Sequence, residues 1–169
     1  HQRRGKTQLY SGASGIAPLD DAIKKALKYG YCHHIERLMV LANFFNLCEL
    51  QPSEIYGWFM NHFVDSSDWV MQANVYGMGL MSDGGLFATK PYISGSNYLR
   101  KMSNYKTGDW CTIWDGLYWR FVEQKKERIA KNPRMSMMVR MLEKMEPKKK
   151  RLIFTAADKF LDEFTESVI

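Results

Sequence analysis

Two histidines and an arginine lie close together between positions 33 and 37. If this segment is helical, His34, Arg37 and Leu38 share one face, because residues three and four apart are neighbours on a helix. A histidine placed in this way can act as a general acid near neutral pH. The alternative is a histidine that only hydrogen-bonds nearby backbone, and residue statistics by themselves favour this alternative.

Asp65 is a candidate partner for Arg37. An exposed pair contributes little to stability, whereas a buried pair indicates a functional site.

The cysteines do not predict a metal site. Cys32, Cys48 and Cys111 are odd in number and widely separated, a pattern typical of a reducing compartment. No CxxC pair occurs, and Cys32 followed by two histidines lacks the spacing of tetrahedral zinc ligands. We therefore expect no metal ion.

The chain has 5 Trp, 9 Tyr and 9 Phe, whose rings could stack on a flat cofactor or on an extruded base. Helical spacing assigns most of them to the core, and Trp114, Tyr118 and Phe121 form one such stripe. The net charge of +6 fits a polyanionic partner, although many enzymes share it.

Composition and periodicity predict an all-α fold. The 169 residues are 46% hydrophobic and 25% charged, which excludes a disordered or collagen-like chain. No apolar run approaches the roughly 20 residues of a membrane-spanning helix. Residues 1–17 look irregular, and residues 69–103, with weak periodicity, predict an ordered loop over a site. The helices predicted from apolar spacing and helix-start signals are 18–30, 32–48, one beginning at 51–52, 110–131, 133–145 and 149–167.

Two segments, 14–22 and 30–39, together resemble the flavin domain of photolyases and cryptochromes. Further segments resemble the bacterial branch typified by iron–sulfur prokaryotic (6-4) photolyases and related cryptochromes; they are residues 74–78, 83–85, 89–92 and 95–98. The resemblance implies that residues 1–169 form the C-terminal part of one helical FAD-binding domain. It also implies an N-terminal α/β antenna domain outside this chain.

The resemblance assigns roles to individual residues. It implies that His34 is the proton donor to the lesion. It places four residues at the flavin, namely Arg37, Asp65, Met71 and Asn74, and it implies that the first two form a salt bridge. It implies electron transfer through Trp58 and Tyr10. The residues expected on the lesion side are His33, Leu38, Tyr92 and Tyr98.

Some positions depart from the family. The iron–sulfur cluster of the family needs four cysteines. In this chain Pro18 occupies the first of these positions, and Cys111 is the one cysteine near the other three positions. Since one thiolate cannot hold a cubane cluster, we expect the cluster to be absent and the loop to be closed by Trp110 and Trp114. Leu38 stands where animal and plant (6-4) enzymes have a second histidine, a replacement that the bacterial branch shares. Met71 lies where relatives carry a polar or acidic residue near flavin N5, so it removes a hydrogen-bonding partner.

The resemblance implies an FAD-dependent lyase that uses light to reverse (6-4) photoproducts in UV-damaged DNA. It also implies a cytoplasmic protein of the bacterial type that does not contact a membrane. The alternative is a cryptochrome-type blue-light photoreceptor without repair activity. A flavin-free helical nucleic-acid module explains the charge but leaves His34, Arg37 and Asp65 without a purpose. The antenna chromophore and the oligomeric state stay open.

Overall fold

The computed structural model of the chain describes residues 2–80, 92–133 and 135–168. Apart from one short pair of strands, the regular structure of these residues is helical, which confirms the all-α prediction. The elements, with π1 and π2 denoting π-helices, are β1 (Arg3–Gly5), a 3-10 helix (Thr7–Tyr10), α1 (Ala17–Tyr29), α2 (His34–Glu36), π1 (Arg37–Ala42), α3 (Asn43–Leu47), α4 (Pro52–His62), α5 (Asp68–Met71), π2 (Gln72–Gly79), α6 (Ser96–Met102), α7 (Asp109–Gln124), α8 (Lys126–Ala130), α9 (Ser136–Glu143), α10 (Pro147–Phe164) and β2 (Thr165–Ser167).

The chain divides into two compact units. The first unit contains residues 1–94 together with residues 164–169, and the second unit contains residues 95–163. The expectation of one helical domain over 1–169 stays a prediction.

Helix α1 of the first unit begins and ends where the sequence predicts. Pro18 lies in its first turn, and the buried carboxylate of Asp20 accepts hydrogen bonds from the backbone N–H groups of Ser14 (2.8 Å) and Gly15 (2.9 Å). These bonds hold the preceding loop against the positive end of the helix. Gly30 follows the last turn in the left-handed conformation, with φ +61°, which glycine adopts without strain.

The predicted helix over 32–48 is present, but its centre has a different period. It starts as α2, widens into π1 and returns to α-helical form as α3. Asn43, fully buried at the end of π1, donates to the carbonyls of Met39 (3.1 Å) and Ser94 (3.3 Å). The side-chain amide of Asn43 therefore bonds a helix carbonyl that accepts from a backbone N–H in a regular α-helix. Turns of π-helix are frequent at functional sites.

The prediction of a loop over residues 69–103 is wrong for most of the residues described there. Residues 68–79 form α5 and π2, and residues 96–102 form α6. A π-helix bonds residue i to residue i+5, so its buried residues do not recur at the α-helical spacing used to identify helices. Residues 81–91, which include the segments 83–85 and 89–91 of the family resemblance, lie outside the described residues.

Residues 1–17 are also more regular than predicted. Strand β1 pairs antiparallel with β2, with Gly5 opposite Thr165, and the 3-10 helix follows it. The Arg3 guanidinium donates to the Thr165 hydroxyl at 2.9 Å. The predicted helix over 149–167 accordingly ends at Phe164, where the chain becomes extended.

The described helices of the second unit are α-helices. The predicted helix over 110–131 is divided into α7 and α8, and the predicted 133–145 helix is α9. Trp110 and Trp114 pack edge to face on α7, with ring centroids 6.1 Å apart. Helices α7 and α10 approach so closely at Gly116 that a Cβ there would lie 2.0 Å from the Ile153 carbonyl oxygen. Among the described helices, none is both long and apolar enough to cross a membrane.

Candidate functional site

The turn at Gly30 brings two distant segments of the first unit together. The N–H of Val64 donates to the Gly30 carbonyl at 2.9 Å, and a Cβ on Gly30 would lie 2.6 Å from Val64 Cγ1. Only glycine combines this close approach with the positive φ of the turn. The segment that follows α4 therefore runs beside the start of α2, and Asp65 comes within reach of Arg37.

Arg37 is held from several directions. Its Nη1 donates to Asp65 Oδ1 at 2.7 Å, and its Nε donates to the Cys32 carbonyl at 2.9 Å. The guanidinium carbon lies 4.1 Å from the ring centre of Phe63 and 5.0 Å from that of Tyr31. A planar cation fits between aromatic faces in this way, whereas a lysine ammonium lacks the flat, forked shape.

The salt bridge is unevenly exposed. The Arg37 side chain is only 11% exposed, whereas that of Asp65 is 53% exposed. The hydrogen bond from Arg37 lowers the pKa of Asp65 below its ordinary value, so the carboxylate is ionised at neutral pH. Burial raises the pKa of the Cys32 thiol to about 11, so this thiol stays protonated at neutral pH and is a poor nucleophile.

A cavity of about 180 Å³ opens beside this salt bridge within the first unit. A cavity of about 150 Å³ holds a benzene molecule, so the space suits one aromatic ring. The cavity is lined by six of the residues that the sequence analysis singled out: His34, Arg37, Leu38, Asp65, Met71 and Asn74. Tyr31, Ala42, Phe59 and Val70 complete the described lining.

The two π-helices form one wall of the cavity. A Cβ on Gly79 of π2 would lie 3.0 Å from the Cβ of Ala42 in π1, so the two backbones approach closely. Asn74, on the first turn of π2, donates to the Val70 carbonyl at 2.9 Å. Met71 is 3% exposed and presents an apolar surface on the same side. This wall combines a fixed amide with an apolar side chain.

Trp58 and Tyr10 lie in an aromatic cluster of the first unit rather than in the cavity lining. Their rings are stacked with centroids 6.2 Å apart, and both pack against Phe45. Trp58 also contacts Phe59, at 5.7 Å between centroids, and Phe59 lines the cavity. His62 stacks on Trp58 at 4.5 Å. A continuous series of ring contacts therefore leads from Tyr10 to the cavity.

The four residues expected on the lesion side occupy different surroundings. Leu38 lines the cavity, and His33 caps α2 by accepting the N–H of Ile35 at 3.2 Å. Tyr92, partly buried in the first unit, is not among the described lining residues. Tyr98 belongs to α6 of the second unit.

Sequence reasoning missed the aromatic rim of the site. Tyr31 and Phe63 enclose the guanidinium of Arg37, and Trp69, beside the lining residue Val70, is 80% exposed. An exposed tryptophan is uncommon unless it serves a contact. The aromatic residues in segments 30–32 and 63–69 were the available signal. Periodicity alone did not distinguish these aromatic residues from those of the core.

Metal binding has no support in the part of the chain that the structure describes. No group of three or more His, Cys, Asp or Glu side chains there is placed to hold an ion. Cys111 is buried on α7 near Trp110 and Trp114. The expected absence of an iron–sulfur cluster stays a prediction.

Comparisons with known proteins relate the chain to two proteins. No family model matches the chain. The chain is 54% identical over 85 residues to "Uncharacterized protein R855" of Acanthamoeba polyphaga mimivirus. The matched region covers 50% of this chain and 69% of the viral protein. The chain is also 31% identical over 137 residues to a (6-4) photolyase of Agrobacterium fabrum (strain C58). This matched region covers 75% of the chain but only 27% of that enzyme. The chain therefore belongs to the same family as the viral protein R855 and is related to the photolyases.

Proposed function

We propose that this chain belongs to a light-driven DNA-repair protein that uses FAD to reverse (6-4) photoproducts, with His34 as proton donor. The carrying observation is that His34 opens onto the same ring-sized cavity as the Arg37–Asp65 salt bridge, in a chain related to a (6-4) photolyase. UV-damaged DNA is the proposed substrate, and a lyase is the proposed enzyme class.

The residues of the cavity fit part of a flavin. A flat aromatic system can be accommodated beside Phe59 and Leu38, and the planar guanidinium of Arg37 offers positive charge at the edge. The volume suits one ring rather than a whole dinucleotide, so this chain would hold one portion of the cofactor. When bound, FAD supplies the light-driven electron transfer to the lesion.

The chain's own residues position a fixed positive charge and supply a proton to the lesion. Asp65 and the Cys32 carbonyl fix the guanidinium of Arg37, so its charge does not move when a substrate enters. His34 is exposed and also lines the cavity, a placement that lets its imidazole reach an extruded base and take up another proton from solvent afterwards.

One observation favours the alternative of a blue-light photoreceptor without repair. Buried Met71 offers an apolar surface in the cavity lining, where relatives place a polar or acidic group beside flavin N5. An apolar neighbour leaves the flavin redox state to be set by other contacts. The two functions are separated by whether illumination changes the DNA or only the protein.

The test uses the complete polypeptide, FAD and an oligonucleotide with a single (6-4) photoproduct. Illumination should restore the undamaged sequence, and His34→Ala should lower the repair rate about a hundredfold while flavin binding is kept. Ile35→Ala is the matched control, because Ile35 is an exposed neighbour that is not among the described lining residues. Unchanged repair in His34→Ala contradicts the role of His34, and flavin photochemistry without any repair supports the photoreceptor.

A further inference from the structure

Tyr10 and Glu54 form a partly buried hydrogen-bonded pair at the far end of the aromatic cluster. The Tyr10 hydroxyl donates to Glu54 Oε1 at 2.5 Å, and the backbone N–H of Gly5 donates to the same oxygen at 2.9 Å. A Cβ on Gly5 would lie 2.4 Å from the Tyr10 hydroxyl oxygen, so glycine at this position makes room for the phenol. The second carboxylate oxygen, Oε2, is buried without a hydrogen-bond partner among the described residues. Glu54 therefore has an oxygen in contact with the phenol proton and another that no described group uses.

Trp58 differs from Tyr10 in one respect that matters for oxidation. The Trp58 side chain is 7% exposed, and its Nε1–H has no hydrogen-bond partner among the described residues. An indole that loses an electron without a nearby proton acceptor keeps its proton and stays a strong oxidant. An oxidised phenol, by contrast, is strongly acidic and needs an acceptor at once. Tyr10 has such an acceptor, and its ring stacks on that of Trp58 at 6.2 Å.

We infer that Glu54 is the base that accepts the phenol proton of Tyr10 when Tyr10 gives an electron to oxidised Trp58, along the route that the family resemblance implies. The electron passes from Tyr10 to oxidised Trp58, which returns to neutral indole. The O–H bond of Tyr10 breaks, and its proton joins the Glu54 carboxylate. The products are a neutral tyrosyl radical and a carboxylic acid. The oxidant that first takes the electron from Trp58 is a one-electron acceptor, namely oxidised flavin excited by light, which is thereby reduced towards the form that donates to the lesion. This role in the cell rests on the proposed function.

The resting state of the pair agrees with this assignment. Burial, together with the hydrogen bond to Glu54, raises the pKa of Tyr10 above its ordinary value. The phenol therefore keeps its proton at neutral pH and releases it only on oxidation. In the described part of the first unit, the charged group in direct contact with the phenol is the Glu54 carboxylate.

The experiment uses the complete polypeptide and an oxidant that does not require flavin. A laser flash with an added quencher generates a ruthenium(III) polypyridyl oxidant, and transient absorption follows tryptophan and tyrosyl radicals in H₂O and in D₂O. Tyr10→Phe should abolish the fast tyrosyl signal and prolong the tryptophan signal. Glu54→Gln, which keeps an acceptor oxygen but not the base, should slow tyrosyl formation roughly a hundredfold. Glu146→Gln, a change at an exposed glutamate of the second unit, is the matched control and should leave the rate unchanged.

Each outcome decides the inference. Equal rates of tyrosyl formation in wild type and Glu54→Gln overturn it, as does a full tyrosyl signal in Tyr10→Phe. Circular dichroism checks folding, and Glu54→Asp, which keeps the carboxylate, should retain more of the rate than Glu54→Gln if the first variant is poorly folded. Flavin excitation of the same proteins is the separate arm. Radical formation with ruthenium but no flavin binding refutes the proposed function and leaves the Tyr10–Glu54 pair standing.

Discussion

The two units of this chain differ in the regularity of their helices and in the hydrogen bonding of their buried polar groups. The first unit contains both π-helices and both of the buried polar atoms without a described partner, Glu54 Oε2 and Trp58 Nε1. In the described part of the second unit, the buried Ser96 is bonded to Asp115, and the helices are regular. Strained or incompletely bonded groups persist where a site needs them and the surrounding structure holds them. The comparison therefore points to the first unit as the one that carries chemistry.

Charged groups differ between the units in the same sense. The second unit has an ion pair at its surface, formed by Lys126 and Glu143 at 2.6 Å, and both side chains are about half exposed. Pairs of this kind contribute little. Arg37 in the first unit is nearly buried and has aromatic, carbonyl and carboxylate neighbours at once. Arg120 of the second unit, whose Nε lies 3.0 Å from Asp158 Oδ1, is the more exposed of these two arginines, at 21% against 11% for Arg37.

The largest expected effect comes from adding one methyl group at a glycine of each unit. Gly116→Ala should lower the free energy of unfolding by about 3 kcal/mol, because its Cβ would meet the Ile153 carbonyl at 2.0 Å and a backbone cannot move aside cheaply. Gly57→Ala, in α4, should raise it by about 0.5 kcal/mol, since the new Cβ meets nothing within 4 Å and alanine favours a helix. Urea titrations of both variants measure the difference. Equal losses in the two variants contradict the close approach of α7 and α10.

A charge-conserving exchange sharpens the contrast between the two arginines. Arg37→Lys should lower stability by about 1.5 kcal/mol, because the bond from Nε to the Cys32 carbonyl and the stacking on Phe63 are both lost. Arg120→Lys in the second unit should cost less than about 0.5 kcal/mol. Thermal and urea unfolding of the two variants provide the measurement. A loss at Arg120 as large as that at Arg37 shows that the two sites are equivalent after all.

The smallest effect is the pH dependence of the Arg37–Asp65 salt bridge. The pKa of Asp65 in the folded protein lies below its ordinary 3.8, so the stabilisation is fully present above that value and is lost as the pH falls through the lower, folded value. Because Asp65 is half exposed, the bridge contributes only about 0.5 kcal/mol at pH 7. Wild type and Asp65→Asn should therefore differ at pH 7 and at pH 5 and converge below about pH 3. A difference that is constant over this range rules out the titration of Asp65 as its source.

The sequence predicted the regular parts of the fold and the polar centre of the site. Helix α1 was identified from Pro18 and Gly30, and the salt bridge between Arg37 and Asp65 was expected from the family resemblance. Periodicity failed at π2, because a wider helical turn moves its buried residues out of the α-helical pattern.

Long-range contacts were the other limit of the sequence analysis. Strand pairing between Arg3–Gly5 and Thr165–Ser167 joins segments about as far apart as the chain allows, and three-residue strands carry no alternation to detect. Glu54 went unnoticed because its partner, Tyr10, lies 44 positions away. Family resemblance supplied roles for Tyr10 and Trp58, but only the structure showed which of them has a proton acceptor.

The most direct test of the account measures flavin in the complete polypeptide after purification, followed by blue light in the presence of a reductant. The account predicts close to one bound FAD per chain, bleaching of its absorption under blue light, and a lower flavin content in Arg37→Ala than in Arg120→Ala. Protein that binds no flavin, even after FAD is added, contradicts the account and favours a flavin-free helical nucleic-acid module.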